Sequence, residues 1–250
     1  MKKKITIIIP TYNSEKYILE SLKSLEKQSY KNYSVFIADG GSKDRTLSLI
    51  KKSNLKYKII SKKDKSFEEG VNKCFDKLKT EYFMILGSDD ALSDKKYLSK
   101  LINKLEDKNC DIIFPEYGVI INNKKKIIPQ PKSFNQLIYK TVVPGLGWIS
   151  KTKSIKKVRY NTKIRIATDY DIFLRMYKNK KKFYRSKSTV YYFRIGGNSY
   201  KSAIRGFNEQ KMISIKHRGP LIKIYYVYFM CLAKFIIKYL LLGRFFRVSY

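Results

Sequence analysis

Two hydrophobic periods alternate through the first 115 residues, and that alternation restricts the fold more than any other feature of the chain. Short β-rich apolar runs occur at ITIII (5–9), YSVFIA (33–38), YKII (57–60), EYFMIL (81–86) and DIIF (111–114). Between them lie segments with helical spacing. The first is Ser14–Lys27, through Tyr17, Ile18, Ser21, Leu22 and Leu25; the others are Asp44–Lys51, Phe67–Leu78 and Tyr97–Leu105. Strands alternating with helices predict an α/β fold, a mostly parallel sheet flanked by helices on both faces. No internal repeat or Pro/Gly-rich linker interrupts the 250 residues. A chain of that length buries a sizeable core, as one large domain or as one domain plus an appendage.

An open parallel sheet binds ligands in the crevice beyond the carboxyl ends of its strands. There the chain places Pro10-Thr11-Tyr12-Asn13, then Asp39-Gly40-Gly41-Ser42, then Ser61 with Asp64 close behind, then Gly87-Ser88-Asp89-Asp90. Three successive strands thus deliver carboxylates to one edge. A single acid in such a loop serves as a helix N-cap or turn former, and Asp44 and Asp94 are read that way. Asp39, Asp89 and Asp90 together need a partner, because clustered like charges repel. A hard divalent cation is the simplest: Mg²⁺ takes one or two carboxylates and completes its shell with phosphate oxygens.

Charge is extreme and uneven. The formal net charge is +34, with 24 basic and 17 acidic side chains in residues 1–116 and 30 and 3 in the remaining 134, nets of +7 and +27. Such a field attracts polyanions: nucleic acid, anionic lipid or phosphate-rich substrates. A Lys-rich coding bias is the plainer source of the total. The three cysteines, Cys74, Cys110 and Cys231, have no zinc or redox spacing and read as reduced thiols of a cytosolic protein. The apolar run after the basic N-terminus, Ile5–Ile9, is too short for a signal-peptide core and suits a buried strand.

Only three acids occur in the basic half: Asp169, Asp171 and Glu209. In IRIATDYDIFLRMY (164–177), Ile172, Phe173 and Met176 have core-like helical spacing, so a helix is expected to begin near Thr168–Asp169. At about 100° per residue, Asp169 and Asp171 point about 200° apart. Asp171 then meets Arg175 one turn on, as an ordinary surface pair. Asp169, at the helix start, either looks into the cleft or caps the helix.

In order and spacing, IIIPTYNSEKYI (7–18), VFIADGGSKDRT (35–46), KDKSFEEGVNK (63–73), FMILGSDD (83–90), IATDYDIFLRM (166–176) and YYFRIGGNS (191–199) resemble the family 2 glycosyltransferases. The likeness covers residues 4 to about 210. It implies a GT-A, Rossmann-like nucleotide-diphosphosugar-binding fold, inversion at the anomeric carbon, and Mn²⁺ or Mg²⁺ as cofactor. Carried over by position, Pro10, Thr11 and Tyr12 lie near the nucleotide base, Asp39 hydrogen-bonds it, and Asp64 lies near base or ribose. Asp89 touches ribose, Asp89 and Asp90 hold the metal on the diphosphate, and Asp169 is the catalytic base. Gly87 stands where many members have the first acid of the Asp-x-Asp signature. Glu69, Gly70 and Thr168 stand where relatives have Asp, Ala and Glu. The segment Val142–Lys163 would form the acceptor-side wall, where Trp148, the only tryptophan, either stacks on a sugar or packs in the core. His217, the only histidine, lies outside every motif.

LIKIYYVYFMCLAKFIIKYLLLGRFF (221–246) is apolar except for Lys223, Lys234 and Lys238 and the terminal Arg244, and the lysines fall within about 60° on a helical wheel. Without an uncharged run of ~18 residues it is not a spanning helix. It reads as an amphipathic tail in the membrane interface, or as a docked or self-associating helix. The expected layout is a catalytic domain over 1–218, with a nucleotide-sugar half at 1–116 and an acceptor half at 117–218, followed by a membrane-associating tail at 219–250. The enzyme would be cytoplasmic, peripheral on the inner face of the membrane. It would take a UDP- or dTDP-sugar and extend a lipid-linked oligosaccharide for surface polysaccharide. Two other readings remain open at this point. One is a metal-dependent nucleotidyltransferase on a related fold; the other is a basic nucleic-acid-binding module, against which the carboxylate edge argues.

Overall fold

The computed structural model describes residues 4–61, 63–121, 124–131, 133–143, 145–194 and 202–242. Pro144, the Gly-Gly-Asn-Ser of residues 196–199, the side chain of Lys238 and the chain past Leu242 therefore lie outside the described residues. The first half alternates as expected: β1 (Ile5–Thr11), α1 (Ile18–Glu26), β2 (Tyr33–Asp39), α2 (Thr46–Lys51), β3 (Tyr57–Ser61), α3 (Phe67–Lys77), β4 (Tyr82–Ile85). Then come β5 (Ala91–Leu92), α4 (Tyr97–Asp107), β6 (Ile112–Ile121), β7 (Lys124–Ile127), β8 (Ile149–Lys151), α5 (Thr152–Lys156), α6 (Thr168–Lys178), β9 (Phe183–Arg194), α7 (Ala203–Lys216) and α8 (Leu221–Leu242).

The strands form one sheet in the order β3-β2-β1-β4-β8-β6-β9-β5, with β7 paired to β6. The pairs β3/β2, β2/β1, β1/β4 and β6/β9 are parallel. β8 runs antiparallel to both β4 and β6, which makes the sheet mixed. Thus β6 does not follow β4 directly: three residues, too few to show a period, are inserted between them. Both sequence halves contribute strands to the same sheet.

A sheet covered on both faces explains the near-continuous apolar strands. Ile5, Ile7 and Ile9 of β1 join α1, α2 and α4 in one core, through Ile18, Leu22, Leu25, Ile50, Leu98, Leu101 and Leu105. Ile8 points the other way, into a core built with α3, α5 and α6 through Val71, Phe75, Ile155, Ile172, Phe173 and Met176. Each such side chain, fully buried, contributes ~1.5–3 kcal/mol. The register Thr11↔Asp39 and Ile8↔Ile85 brings the carboxyl ends of β1, β2 and β4 to one edge.

At the C-terminal end α8 packs on α7, with Ile224 buried, Phe207 edge-on to Phe235, and the Lys211 ammonium 3.9 Å from the Tyr228 ring centre. The opposite side of α8 leaves Ile222 (87% exposed), Tyr226, Phe229, Ile236 and Ile237 in solvent. Lys223 and Lys234 are exposed beside this apolar face. Among the described residues, no helix is long and apolar enough to cross a membrane.

Candidate active site

At the shared strand edge a cavity of about 530 Å³ is lined by Pro10, Thr11, Tyr12, Asp64, Phe67 and Gly70, among others. Tyr12 stands at its mouth with 63% of its surface free. Asp64 is fixed by the Lys73 ammonium at 2.6 Å, and Gly70 lets it approach: a Cβ there would lie 2.7 Å from Asp64 Oδ2. The structure thus gathers Pro10, Thr11, Tyr12 and Asp64 around one space.

Asp39 reaches the same edge, but its carboxylate is already used. Its oxygens accept from Thr11 Oγ1 (3.1 Å), Gly41 N (2.9 Å), Ser42 N (3.0 Å) and Ser42 Oγ (2.6 Å), and the residue is 3% exposed. Gly41 takes φ +91°, the left-handed conformation this wrap requires. The Asp39 carboxylate thus organises the loop between Thr11 and Ser42 beside the cavity. Asp44 and Asp94 act as turn formers, accepting from Thr46 N and Lys96 N.

Asp89 and Asp90 diverge. Asp89 is half-buried, and its carbonyl accepts from Arg194 Nε at 2.9 Å. Asp90 is 4% exposed and turned inward, accepting from the Tyr191 hydroxyl at 2.7 Å and from Arg194 N at 3.3 Å. Burial first, and the neighbouring Asp89 charge second, push the Asp90 carboxyl up to about 7. The two carboxylates therefore stand in different surroundings, Asp89 half-buried and Asp90 enclosed. Gly87 is needed for this packing, since a Cβ there would sit 2.4 Å from Asp90 Oδ2. Among the described residues no group of three or more His, Cys, Asp or Glu could hold an ion. One open carboxylate backed by a second still fits Mg²⁺ or Mn²⁺ that takes its other ligands from a diphosphate.

The α6 acid pair separates as its helical phase requires. Asp171 Oδ2 accepts from Arg175 Nε (2.8 Å) and Nη2 (2.6 Å), but at 5% exposed it is a buried pair and not the expected surface one. Arg175 also binds the carbonyls of Val158 and Arg159, tying the 158–160 segment to α6. Asp169 makes no capping bond. Its Oδ1 accepts from the Tyr160 hydroxyl at 2.9 Å, and Gly145 gives it room, a Cβ there falling 2.4 Å from Oδ2. Burial pushes the Asp169 carboxyl up to about 7; the Tyr160 hydrogen bond opposes the shift and the Glu68 charge adds to it. Glu209, the third acid of the basic half, accepts from the backbone N–H groups of Arg165, Ile166 and Ala167 and so braces the entry to α6.

Asp169 and Asp90 are linked through the Gly145–Gly147 turn. Gly145 abuts Asp169, and Gly147, at φ +82°, abuts Tyr191, which binds Asp90. Tyr117 senses both charges: its hydroxyl is pushed up first by burial and then by Asp90 and Asp169. Trp148 lies in the core, fully buried, edge-on to Phe83 and Phe173 and donating from Nε1 to Gly145 O at 2.6 Å. It therefore supports the Gly145–Gly147 turn and presents no face to a sugar. Sequence reasoning missed Tyr160, which stands in none of the quoted motifs, and Tyr191, which opens the YYFRIGGNS segment with no charge to mark it. Arg194 lies in the quoted YYFRIGGNS segment, where its charge was a usable signal.

Comparison with known proteins bears on the family and the fold. The profile of Glycosyl transferase family 2 matches residues 6–183. An uncharacterized glycosyltransferase of Methanocaldococcus jannaschii is 27% identical over 227 residues, 84% of this chain and 76% of its own. Among solved structures, S. aureus TarS 1–349 in complex with UDP-GlcNAc superimposes with a TM-score of 0.70 at 22% identity, covering 94% of this chain and 72% of that one. The sequence match to full-length TarS spans 35% of that protein. The mannosyltransferase PcManGT from Pyrobaculum calidifontis, in complex with GDP-Man and Mn²⁺, gives a TM-score of 0.71 at 15% identity, covering 99% and 76%. The chain is a glycosyltransferase with the GT-A fold and belongs to Glycosyl transferase family 2.

Proposed function

We propose that this protein is a metal-dependent inverting glycosyltransferase that moves a sugar from a UDP- or dTDP-sugar onto a lipid-linked glycan, in surface polysaccharide synthesis at the inner face of the cytoplasmic membrane. The observation that carries the reading is Asp169: a carboxylate with its proton affinity raised to about 7, connected through the Gly145–Gly147 turn to the Asp89–Asp90 loop. A base with that affinity is suited to removing a proton near neutral pH.

The nucleotide occupies the cavity formed by Pro10, Thr11, Tyr12 and Asp64. Asp89 would hold Mn²⁺ or Mg²⁺, with Asp90 behind it; such an ion supplies Lewis-acid neutralisation of the diphosphate leaving group. Arg194, beside Asp89, adds a fixed positive charge at the same place. Asp169 takes the proton of the acceptor hydroxyl as its oxygen attacks the anomeric carbon. The bond to the diphosphate breaks on the opposite side and the nucleoside diphosphate leaves with the electron pair. Tyr160 holds Asp169 in position, donating to Oδ1 and leaving Oδ2 toward Gly145.

Residues 1–218 form the catalytic unit and 219–250 the membrane-associating tail. Supporting this, α8 has two apolar faces: one is covered by α7, and the exposed one is flanked by lysines that can reach phospholipid headgroups. The net charge of +27 beyond residue 116 favours an anionic surface and a diphosphate-bearing acceptor.

A thermal-shift panel of nucleotides with and without Mn²⁺ tests the donor side. A ligand at a hundred times its dissociation constant adds ~2.7 kcal/mol, roughly 5–10 °C for a chain of this size. The expected result is a Mn²⁺-dependent shift with UDP or dTDP that disappears in Asp89→Asn/Asp90→Asn. Undiminished metal-dependent binding by that double variant would place the metal elsewhere.

A further inference from the structure

α3 starts at the nucleotide cavity with Phe67 and, at 11 residues and about 16 Å, stops at Lys77 short of the amino ends of β1–β3. Past its end a second cavity of about 530 Å³ opens over those strand ends. Thr6, which lines it, and Thr11, at the nucleotide cavity, stand five residues apart on β1, about 17 Å, so the two spaces are distinct. Four exposed lysines surround the second cavity, Lys56 and Lys58 from the β3 side and Lys77 and Lys79 from the end of α3. No acid is among the described residues that line it, and none of the four makes an ion pair or hydrogen bond among the described residues. Other lysines of this half do find acids: Lys4 with Glu106, Lys73 with Asp64 and Glu69, Lys100 with Asp94. The Leu78 carbonyl, at the negative end of α3, is occupied by the Lys156 ammonium at 2.8 Å. Unpaired like charges gathered around one concave space favour an anion there.

A chain of hydroxyls in the cavity wall narrows the kind of anion. Thr80 Oγ1 donates its single proton to Tyr82 O at 2.8 Å. Thr6 Oγ1, 2.8 Å from Thr80 Oγ1, must then be the donor of that pair, and Ser34 Oγ, 3.0 Å from Thr6 Oγ1, the donor of the next. Ser34 is half-buried at the end of the chain, so toward the cavity its oxygen has lone pairs and no proton to give. The cavity thus offers ammonium donors at its rim and a hydroxyl acceptor in its wall, with Phe36 and Ile60 adding apolar surface. A sugar bearing an anionic group matches both demands, since it carries hydroxyl protons and a charge in one molecule. We propose that this cavity is a second carbohydrate site, which takes an anionic sugar with its phosphate or carboxylate on Lys58 and Lys77 and a hydroxyl donating to Ser34 Oγ. The site lies apart from the Asp89 and Asp169 carboxylates and does not depend on the glycosyl-transfer reading.

Titration calorimetry on the full chain tests it, with glucose 6-phosphate, glucuronate, glucose and inorganic phosphate as probes. Physiological ionic strength screens the scattered surface charge. Wild type should bind at least one of the two anionic sugars about tenfold tighter than glucose or inorganic phosphate, and the sugar that binds identifies the anion. UDP with Mn²⁺ should not displace it. Lys58→Gln/Lys77→Gln should weaken that binding about tenfold and Ser34→Ala about fivefold. Lys124→Gln/Lys126→Gln removes the same charge from the exposed strand β7 and should bind as wild type does. Circular dichroism establishes that each variant is folded, and the lysine pair, both exposed, carries the test if Ser34→Ala is not. Equal losses in the β7 control would reduce the effect to net charge. Displacement by UDP would put the sugar in the nucleotide cavity, and inorganic phosphate binding as tightly as either sugar would make this a site for a bare anion. No binding of either anionic sugar would leave the four lysines as solvated surface. Each of these results overturns the proposal.

Discussion

Asp169 and Asp171 lie two residues apart and do different work, and their variants should separate it. Asp171→Asn leaves the half-buried Arg175 guanidinium short of its counter-charge and loosens the 158–160 segment. It should lower stability by about 1–3 kcal/mol, read as a fall in the urea midpoint, with the folded enzyme still active. Asp169→Asn should do the opposite. The native carboxyl binds its proton up to about pH 7, and the unfolded one releases it near the ordinary aspartate value of 3.8. Between those values the folded state holds the extra proton, so its stability declines as pH rises through the window. Removing the charge should therefore raise the melting temperature at pH 8 by about 2–4 °C, the equivalent of ~1 kcal/mol, with the gap closing by pH 4. A melting curve for Asp169→Asn that tracks wild type at both pH values would mean that the carboxyl is solvated and ordinary. Gly145 belongs to the same unit: a side chain there would collide with Asp169 Oδ2.

The alternation of the first half announced β1–β4 and the helices between them because each strand lies in an apolar run and helical segments separate those runs. β5, β7 and β8 are two to four residues long, and the 12-residue β9 is interrupted where its register with β6 shifts around Phe114/Glu116. None carries a readable pattern. The carboxylate edge was legible because it follows from strand direction, and the Asp169/Asp171 division because it follows from helical phase. Which carboxylates stay open was not legible. The enclosure of Asp90 by Tyr191, and of Trp148 by Phe83 and Phe173, depends on residues distant in sequence. Glu209 shows the same dependence: from α7 it satisfies three backbone donors ahead of α6. Glu209→Ala strips those partners and should cost about 1–2 kcal/mol in chemical denaturation. A loss within 0.3 kcal/mol would show that water replaces them without penalty.

For the whole molecule, the uneven charge and the exposed face of α8 point to a membrane surface. Phe229→Glu/Ile236→Glu puts two charges on that face without touching Ile224 on the covered one. It should reduce sedimentation with anionic phospholipid vesicles at least tenfold and leave the Mn²⁺-dependent nucleotide shift intact; unchanged vesicle binding would assign the face to another contact. The central claim is that both sequence halves meet at one reaction centre, with Asp89 on the donor side and Asp169 as the base. Turnover tests it most directly: release of nucleoside diphosphate from the best-binding donor, in the presence of Mn²⁺ and a membrane lipid extract, by wild type and Asp169→Asn. The account predicts nucleoside diphosphate as product and a 10²–10⁴-fold fall in Asp169→Asn with donor affinity unchanged. Equal rates in the two proteins, or nucleoside monophosphate retained on the acceptor, would contradict it.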